Sequence, residues 1–241
     1  MSGTRGLEAT TLVLLPGLDG TDVFLRPLLA VLPSSVRPLV VCFPAVGAND
    51  YTALLPIVQQ AVARLPSFYV LGWSFSGPLA VKLAAAEPSR VRGIILAATF
   101  VRPPRPMLSR MKYLACAPVV WAVRAGRRVP DWLFAPATDP FKRDKAETWA
   151  RVDAGTVAAR VRTVLDLDVR DDLRRCTHPV LCLAGSRDVV VPCGNVDDIV
   201  KARPSAEMRT IEGRHFALYT NPRAAADVIM DFINRQEMAR R

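Results

Sequence analysis

Short apolar runs alternate with longer amphipathic stretches along most of the chain. The short runs have five to eight residues and most are rich in Val, Ile, Leu or Phe, which is typical of buried strands. The longer stretches repeat apolar residues every three or four positions, as helices with one buried face do. The predicted strands are Thr11–Leu15, Arg37–Phe43, Phe68–Trp73, Val91–Ala98, Pro179–Ala184 and Glu207–Ile211. The predicted helices are Asp22–Leu32, Tyr51–Leu65, Phe75–Ala86, Val196–Ala202 and Pro222–Arg235, with Asn221 as the N-cap of the last.

This alternation predicts an α/β fold with a mostly parallel sheet and helices on both faces. Residues 101–170 interrupt it, because they are proline-rich at first and then mostly helical and basic. We expect a single domain, in which residues 1–100 and 171–241 form the core and residues 101–170 are an inserted helical cap. The hydrophobic content of 51% is sufficient for one large core.

A lone serine stands where the third predicted strand turns into a helix. The stretch GWSFSG at 72–77 follows the pattern G-x-S-x-G, with Ser74 at the centre and Ser76 in place of the second glycine. In a nucleophile elbow, this pattern holds a serine hydroxyl on a tight turn above a parallel sheet. A serine between a strand and a helix is otherwise most often an N-cap. The strand before Ser74 and the helix after it favour the elbow.

A serine hydroxyl needs a base, and the chain has two histidines. His178 precedes the predicted strand that starts at Pro179, so we expect it at the opposite end of the sheet, in a surface loop. His215 follows the last predicted strand, in a loop that leaves the carboxyl edge, as the loop of Ser74 does. We therefore predict that His215 is the base; the alternative is an ordinary loop histidine.

The third member of such a site is an acid that orients the histidine. Asp188 follows the predicted strand Pro179–Ala184 and precedes His215, in the order Ser, Asp, His. Its alternative role is that of an ordinary turn residue. The competing acids are Asp166 and Asp168, which precede that strand, and Asp197 and Asp198, which fall in the next helix.

An acyl-transfer site also needs donors for the oxyanion. The backbone N–H of Phe75, next to the serine, is one candidate. The other is the N–H of Leu18, in the loop after the first strand, where Gly17 permits a close approach. The alternative for this loop is a simple turn.

Four segments, LLPGLDG, GWSFSG, GSRDVVVP and GRHFALYTNP, together resemble the α/β-hydrolase family. The resemblance implies the α/β-hydrolase fold with an inserted cap, and a triad of Ser74, Asp188 and His215. Two departures stand out. Pro16 occupies a position where many members have histidine, and little chain precedes Thr11, so we expect a smaller sheet without most of the usual leading hairpin.

Positive charge is concentrated in the inserted segment. Residues 101–170 carry 14 basic and 7 acidic side chains and so hold most of the net charge of +10. This excess favours an acidic partner, unless the charges are simply solvated.

The stretches VLGWSFSG and DLDVRDDLRRCTHPVLCLAG resemble the branch with the pimeloyl-acyl-carrier-protein methyl ester esterases of biotin synthesis. That resemblance implies an acyl carrier protein held by cap arginines. The candidate contacts are Arg102, Arg105, Arg110, Lys112, Arg124, Arg127 and Arg128.

The predicted function is therefore that of a serine carboxylesterase, with a carrier-bound ester as a candidate substrate. The candidate substrate contacts are Gly17, Trp73, Leu108, Met111 and Trp121; packing of the cap on the core is their alternative role. One rival function is that of a membrane-surface lipase or acyl thioesterase, since residues 110–128 are apolar in the middle and basic at both ends. Another is that of a non-catalytic binder. Nucleic-acid binding is not predicted, because no known binding module is recognisable.

No cofactor or metal is predicted, because the sequence contains neither a metal-ligand set nor a dinucleotide fingerprint. The five cysteines show no Cys-x-x-Cys spacing, which favours a reduced, cytoplasmic location. The longest apolar run, Tyr113–Val123, is shorter than the roughly 20 residues that a membrane-spanning helix needs. We therefore expect no transmembrane segment, and peripheral contact with a membrane stays an alternative.

Overall fold

One parallel sheet organises the computed structural model, which describes residues 9–105, 107, 115–126, 135–136 and 138–240, without the side chains of 123–126. Within this part, the sheet has six strands, paired in the order β2-β1-β3-β4-β5-β6, and all pairings are parallel. The strands are β1 (Thr10–Leu15), β2 (Val36–Val40), β3 (Phe68–Trp73), β4 (Val91–Ala97), β5 (Val180–Gly185) and β6 (Glu207–Ile211). The strand order reverses between β1 and β3, and ligands bind at such points in α/β sheets, at the carboxyl ends of the strands.

Helices cover both faces of this sheet. They are α1 (Arg26–Leu29), α2 (Tyr51–Ala61), α3 (Gly77–Ala86), α4 (Ala117–Gly126), α5 (Asp139–Arg151), α6 (Ala154–Leu165), α7 (Arg170–Arg175), α8 (Gly194–Ala202), α9 (Ala217–Thr220) and α10 (Pro222–Met238). Short 3-10 turns precede α1 and α3, at Val23–Leu25 and Ser74–Ser76. Buried side chains of α2, α3 and α8 pack on one face, and those of α9 and α10 on the other. The predicted fold class is confirmed.

The apolar core lies in two clusters, one on each side of the sheet. Strand β3 is buried at every position, as expected for a central strand of a parallel sheet. Because β3 is one of the two central strands, its carboxyl end, and with it Ser74, lies in the middle of the carboxyl edge.

The predicted strands are all present, whereas the helix predicted for Asp22–Leu32 is wrong in extent. The structure has only the 3-10 turn Val23–Leu25 and the four-residue helix α1 in this region. Pro27 lies in the first turn of α1, where its missing N–H is tolerated, and a longer helix would place it in the interior, where it breaks the hydrogen-bond ladder. At the other end of the chain, α10 begins at Pro222 as predicted, but Asn221 makes no capping bond and donates to the Glu212 carbonyl.

Four helices, α4 to α7, lie between β4 and β5 in the residues that the structure describes there. The N–H of Val169 donates to the carbonyl of Val101 at 2.8 Å, so the inserted segment leaves and re-enters the core at one place. Helix α4 packs on α6. None of the helices in the described part of the chain is both long enough and apolar enough to cross a bilayer.

Candidate active site

Ser74 occupies a strained turn directly after β3. Its φ angle of +53° lies in the left-handed region, which costs a non-glycine residue of order 1–3 kcal/mol. Gly72 makes the turn sterically accessible, because a Cβ at this position would lie 2.4 Å from the carbonyl oxygen of Ser76. The turn thus directs the Ser74 side chain out of the sheet at its carboxyl edge.

Three hydroxyl groups brace this turn. Thr99 donates to the carbonyl of Ser74 at 2.5 Å, and Tyr51 donates to the carbonyl of Phe75 at 2.6 Å. Ser76, in place of the usual glycine, donates to the carbonyl of Pro16 and so ties the turn to the loop after β1. Sequence reasoning missed Thr99 and Tyr51, because they come from segments far away in the chain.

The structure brings Ser74, His215 and Asp188 into one chain of hydrogen bonds. Ser74 Oγ lies 2.8 Å from His215 Nε2, and His215 Nδ1 lies 2.8 Å from Asp188 Oδ2. The side chains of His215 and Asp188 are only 7% and 5% exposed. Because water is largely excluded from this contact, the carboxylate can fix the imidazole with its Nε2 lone pair towards the hydroxyl.

Backbone contacts hold Asp188 beside the histidine loop. Asp188 Oδ1 accepts the N–H groups of Val190 and Val191, each at 2.9 Å, which leaves Oδ2 for the imidazole. The N–H of Arg187 donates to the carbonyl of Gly213 at 2.8 Å, and so joins the two loops.

None of the competing acids is recorded in contact with His215 in the described structure. Asp168 binds the side chain of Arg170, and Asp198 binds Arg102 at 2.6 Å. Asp166 ends helix α6, and Asp197 is an exposed residue of α8.

The prediction of a surface loop is wrong for His178. This residue is 6% exposed, and its Nε2 lies 3.0 Å from the carbonyl of Pro88. It belongs to the packing at the amino end of β5, away from Ser74.

The two candidate oxyanion donors lie on adjacent loops at the reversal in strand order. Phe75 is the second residue of a 3-10 turn, so its N–H has no acceptor within that turn. Leu18 is in a turn closed by the N–H of Gly20, which donates to the carbonyl of Gly17 at 3.0 Å. Among the described residues, the N–H of Leu18 has no backbone acceptor.

Two charged side chains at the Leu18 loop, Asp19 and Arg160, were not foreseen from the sequence. Asp19 Oδ2 accepts from both the N–H and the hydroxyl of Thr21, and burial raises the pKa of this carboxyl. Arg160, from α6, reaches the same loop, and burial lowers the pKa of its guanidinium to about 10. No sequence signal separates Arg160 from the other arginines of the inserted segment.

The candidate substrate residues differ in how exposed they are. The Trp73 ring is 1% exposed and packs edge-on against Phe24 and Phe216, whereas Trp121 is 66% exposed on α4. Gly17 lies against the Trp73 ring. Leu108 and Met111 lie outside the described residues.

Two of the candidate partner residues have described side chains, and both have partners within the chain. Arg102 forms the ion pair with Asp198, and Arg105 donates to the carbonyl of Val189 at 2.7 Å. Arg110, Lys112, Arg127 and Arg128, and the side chain of Arg124, lie outside the described part of the structure. In the part that is described, no group of three or more His, Cys, Asp or Glu side chains is arranged to hold a metal ion.

A serine on a strained strand-to-helix turn, above a parallel sheet covered on both faces, is how α/β hydrolases present a hydroxyl group. Comparison with known families agrees with this class. Residues 12–228 match the alpha/beta hydrolase family, and the chain belongs to it.

Two of the curated relatives are a carbamate hydrolase and an ester hydrolase. The chain is 24% identical to the putative carbamate hydrolase RutD of Stutzerimonas stutzeri, over 98% of this chain and 96% of that protein. It is 27% identical to the pimeloyl-[acyl-carrier protein] methyl ester esterase of Nitrosomonas europaea, over 68% of this chain and 72% of the other. Among solved structures, a hydrolase from Pseudomonas aeruginosa PA01 superposes with a TM-score of 0.79 at 21% identity, covering 95% of this chain and 91% of that one.

Proposed function

We propose that the protein is a serine carboxylesterase in which Ser74 is the nucleophile, His215 the general base and Asp188 the acid that orients it. The single observation that carries the proposal is the buried hydrogen-bond chain Ser74–His215–Asp188 above a strained turn. The esterases and hydrolases among the relatives support the same class of reaction.

In this mechanism, Ser74 Oγ attacks the acyl carbon while His215 Nε2 takes the hydroxyl proton. The N–H groups of Phe75 and Leu18 donate to the oxyanion of the tetrahedral intermediate. His215 then gives its proton to the leaving alcohol, and an acyl-serine ester remains. Water attacks this ester with His215 again as base, which releases the acid and restores Ser74.

The direct test is a fluorophosphonate probe followed by a panel of methyl esters of increasing acyl length. We expect the probe to label Ser74 and at least one ester to be hydrolysed, because both need an activated serine hydroxyl. A folded protein that neither reacts with the probe nor hydrolyses any ester would favour a non-catalytic binder.

For the substrate, we propose an acyl ester carried by an acidic carrier protein. The net positive charge of residues 101–170 and the 27% identical esterase support this proposal. We expect the KM for a carrier-bound ester to rise steeply with salt, because association between opposite charges is screened, while the KM for the free ester stays constant. Equal salt dependence for both esters would contradict a role for the carrier.

Two charge-reversal variants extend this experiment, one as the test and one as its matched control. Arg105→Glu should raise the KM for the carrier-bound ester by about tenfold. Arg223→Glu changes the charge equally at an exposed position of α10 and should have no such effect.

Hydrolysis at a membrane surface, as a lipase or acyl thioesterase, is a second candidate function. Trp121 and Val119, 66% and 44% exposed on α4, favour it. If it is correct, the protein will co-sediment with vesicles that contain phosphatidylglycerol, and Trp121→Ser will weaken this binding. A protein that stays in the supernatant favours the carrier-bound substrate.

A further inference from the structure

Arg160 is the one arginine of α6 whose side chain is completely buried, with 0% of it exposed. Its guanidinium reaches from the inserted segment into the core. Nη1 donates to the carbonyl of Leu18 at 2.9 Å, and Nη2 donates to the carbonyl of Pro44 at 2.9 Å. Nε and Nη2 both donate to Asn49 Oδ1, at 3.1 and 2.8 Å.

These acceptors are all neutral, so burial of the Arg160 guanidinium costs free energy. A buried cation without a carboxylate in direct contact has lost its hydration and gains only hydrogen bonds in return. Among the described residues, Asp19 and Asp153 offset part of the charge through space. An apolar side chain would fill the same volume at lower cost, so packing alone does not account for an arginine here.

A glycine leaves space for the guanidinium in the loop that Arg160 contacts. Gly20 has a φ of +72°, and a Cβ at this position would lie 2.6 and 2.7 Å from the two terminal nitrogens of Arg160. Only glycine both adopts this conformation freely and leaves room for the guanidinium. The carbonyl of Gly20 in turn accepts the N–H of Phe43 at 2.8 Å.

The far end of the same loop is held by the preceding helix, α5. Arg151 of α5 donates to Asp22 at 2.9 Å, and Arg26 donates to Asp22 at 3.0 Å. Arg26 also donates to both carboxylate oxygens of Glu147 on α5, at 2.9 Å each. The loop between β1 and α1, which contains Leu18, is thus bound at both ends by consecutive helices of the inserted segment.

We propose that Arg160 is a positioning residue for the oxyanion hole: by binding the Leu18 carbonyl, it holds the Leu18 N–H towards the reacting carbonyl oxygen. The inference rests on the proposed esterase function. It adds that catalysis depends on the position of α6 against the core. Arg160 binds the Leu18 carbonyl, and the hydrogen bond from Gly20 to Gly17 closes the turn. Both peptide planes next to Leu18 therefore have fixed orientations. Small displacements of such a donor reduce the rate strongly.

The test compares Arg160→Met and Arg160→Lys with two controls. Arg162→Met removes an exposed arginine from the same helix, and Val58→Ala opens a cavity in the core beneath α2. The readouts are kcat and KM for p-nitrophenyl acetate, the affinity for a trifluoromethyl ketone and the melting temperature. The ketone forms a tetrahedral adduct with the serine, so its affinity reports on the oxyanion donors.

We expect Arg160→Met to lower kcat by about 10- to 100-fold, less than the loss of a whole donor, with KM within twofold. The ketone should bind more weakly by the same factor. Arg160→Lys should fall between Arg160→Met and the wild type, because an ammonium group places all its donors on one nitrogen and cannot reproduce the planar spread of the guanidinium donors. Both controls should keep kcat and ketone affinity within twofold of the wild type, even though Val58→Ala melts at a lower temperature.

The proposal is overturned if kcat and ketone affinity of the Arg160 variants stay within twofold of the wild type. It is also overturned if Val58→Ala loses activity in proportion to its melting temperature, since the role of Arg160 would then be structural. Should Arg160→Met fail to fold, Arg160→Lys decides by the same criteria. A wild-type protein that the fluorophosphonate probe does not label refutes the esterase proposal itself, and the role of Arg160 with it.

Discussion

Replacing Ser74 with alanine is expected to lower kcat for ester hydrolysis by about 10⁴- to 10⁶-fold, because the proposed reaction then lacks its nucleophile. The fold should remain intact. Alanine has the same Cβ as serine, so the backbone at φ +53° is neither relieved nor strained further. The measurement is the rate of ester hydrolysis, together with circular dichroism and the melting temperature.

Ser89→Ala is the matched control for this substitution. Ser89 is exposed, in the turn between α3 and β4, and its replacement should leave both rate and stability unchanged. Retention of more than a hundredth of the wild-type activity by Ser74→Ala would refute Ser74 as the nucleophile. Loss of fluorophosphonate labelling in Ser74→Ala alone would support it.

Asp188→Asn is the second substitution with a very large expected effect, a decrease in kcat of about 10⁴-fold. Asn Oδ1 can still accept the N–H groups of Val190 and Val191, as Asp188 Oδ1 does. The amide nitrogen then faces His215 Nδ1 in place of a carboxylate oxygen. It can only donate, so it stabilises the tautomer whose proton is on Nε2, and that nitrogen cannot accept the proton of Ser74.

Asp197→Asn provides the comparison for Asp188→Asn. It neutralises an exposed acid of α8 and should change the rate less than twofold. The decisive measurement is kcat near neutral pH, with the melting temperature as evidence of folding. If Asp188→Asn loses less than tenfold in kcat, the proposed orienting role of Asp188 is wrong.

If both proposals are correct, the inserted segment contributes to catalysis as well as to the choice of substrate. Arg160 and Arg151 bind the two ends of the loop that contains Leu18, and they lie on α6 and α5. A carrier protein that docks on this segment would therefore act on helices that contact the proposed oxyanion hole. The salt dependence of KM and the kcat of the Arg160 variants examine these two contributions separately.

The local pattern of apolar residues alone was sufficient to predict the strands of the sheet. Strands such as Phe68–Trp73 are continuous apolar runs because both their faces are buried, and this signal lies in neighbouring residues. The position of Ser74 at a strand-to-helix turn follows from the same signal. The prediction of one helix over Asp22–Leu32 was wrong because it followed the apolar spacing and did not take account of Pro27. In the folded chain, a new α-helix begins at Arg26.

The sequence by itself determined the α/β alternation, the turn at Ser74 and a short list of acids and histidines, because each depends on residues close together in the chain. Only the tertiary structure decided which of them meet. Asp188 contacts His215 because two loops from different strands pack together, and Thr99, Tyr51 and Arg160 reach the site from distant segments. His178, likewise, is buried by a contact with Pro88, 90 residues away. Contacts between side chains far apart in sequence depend on the packing of whole elements, and no local periodicity encodes that packing.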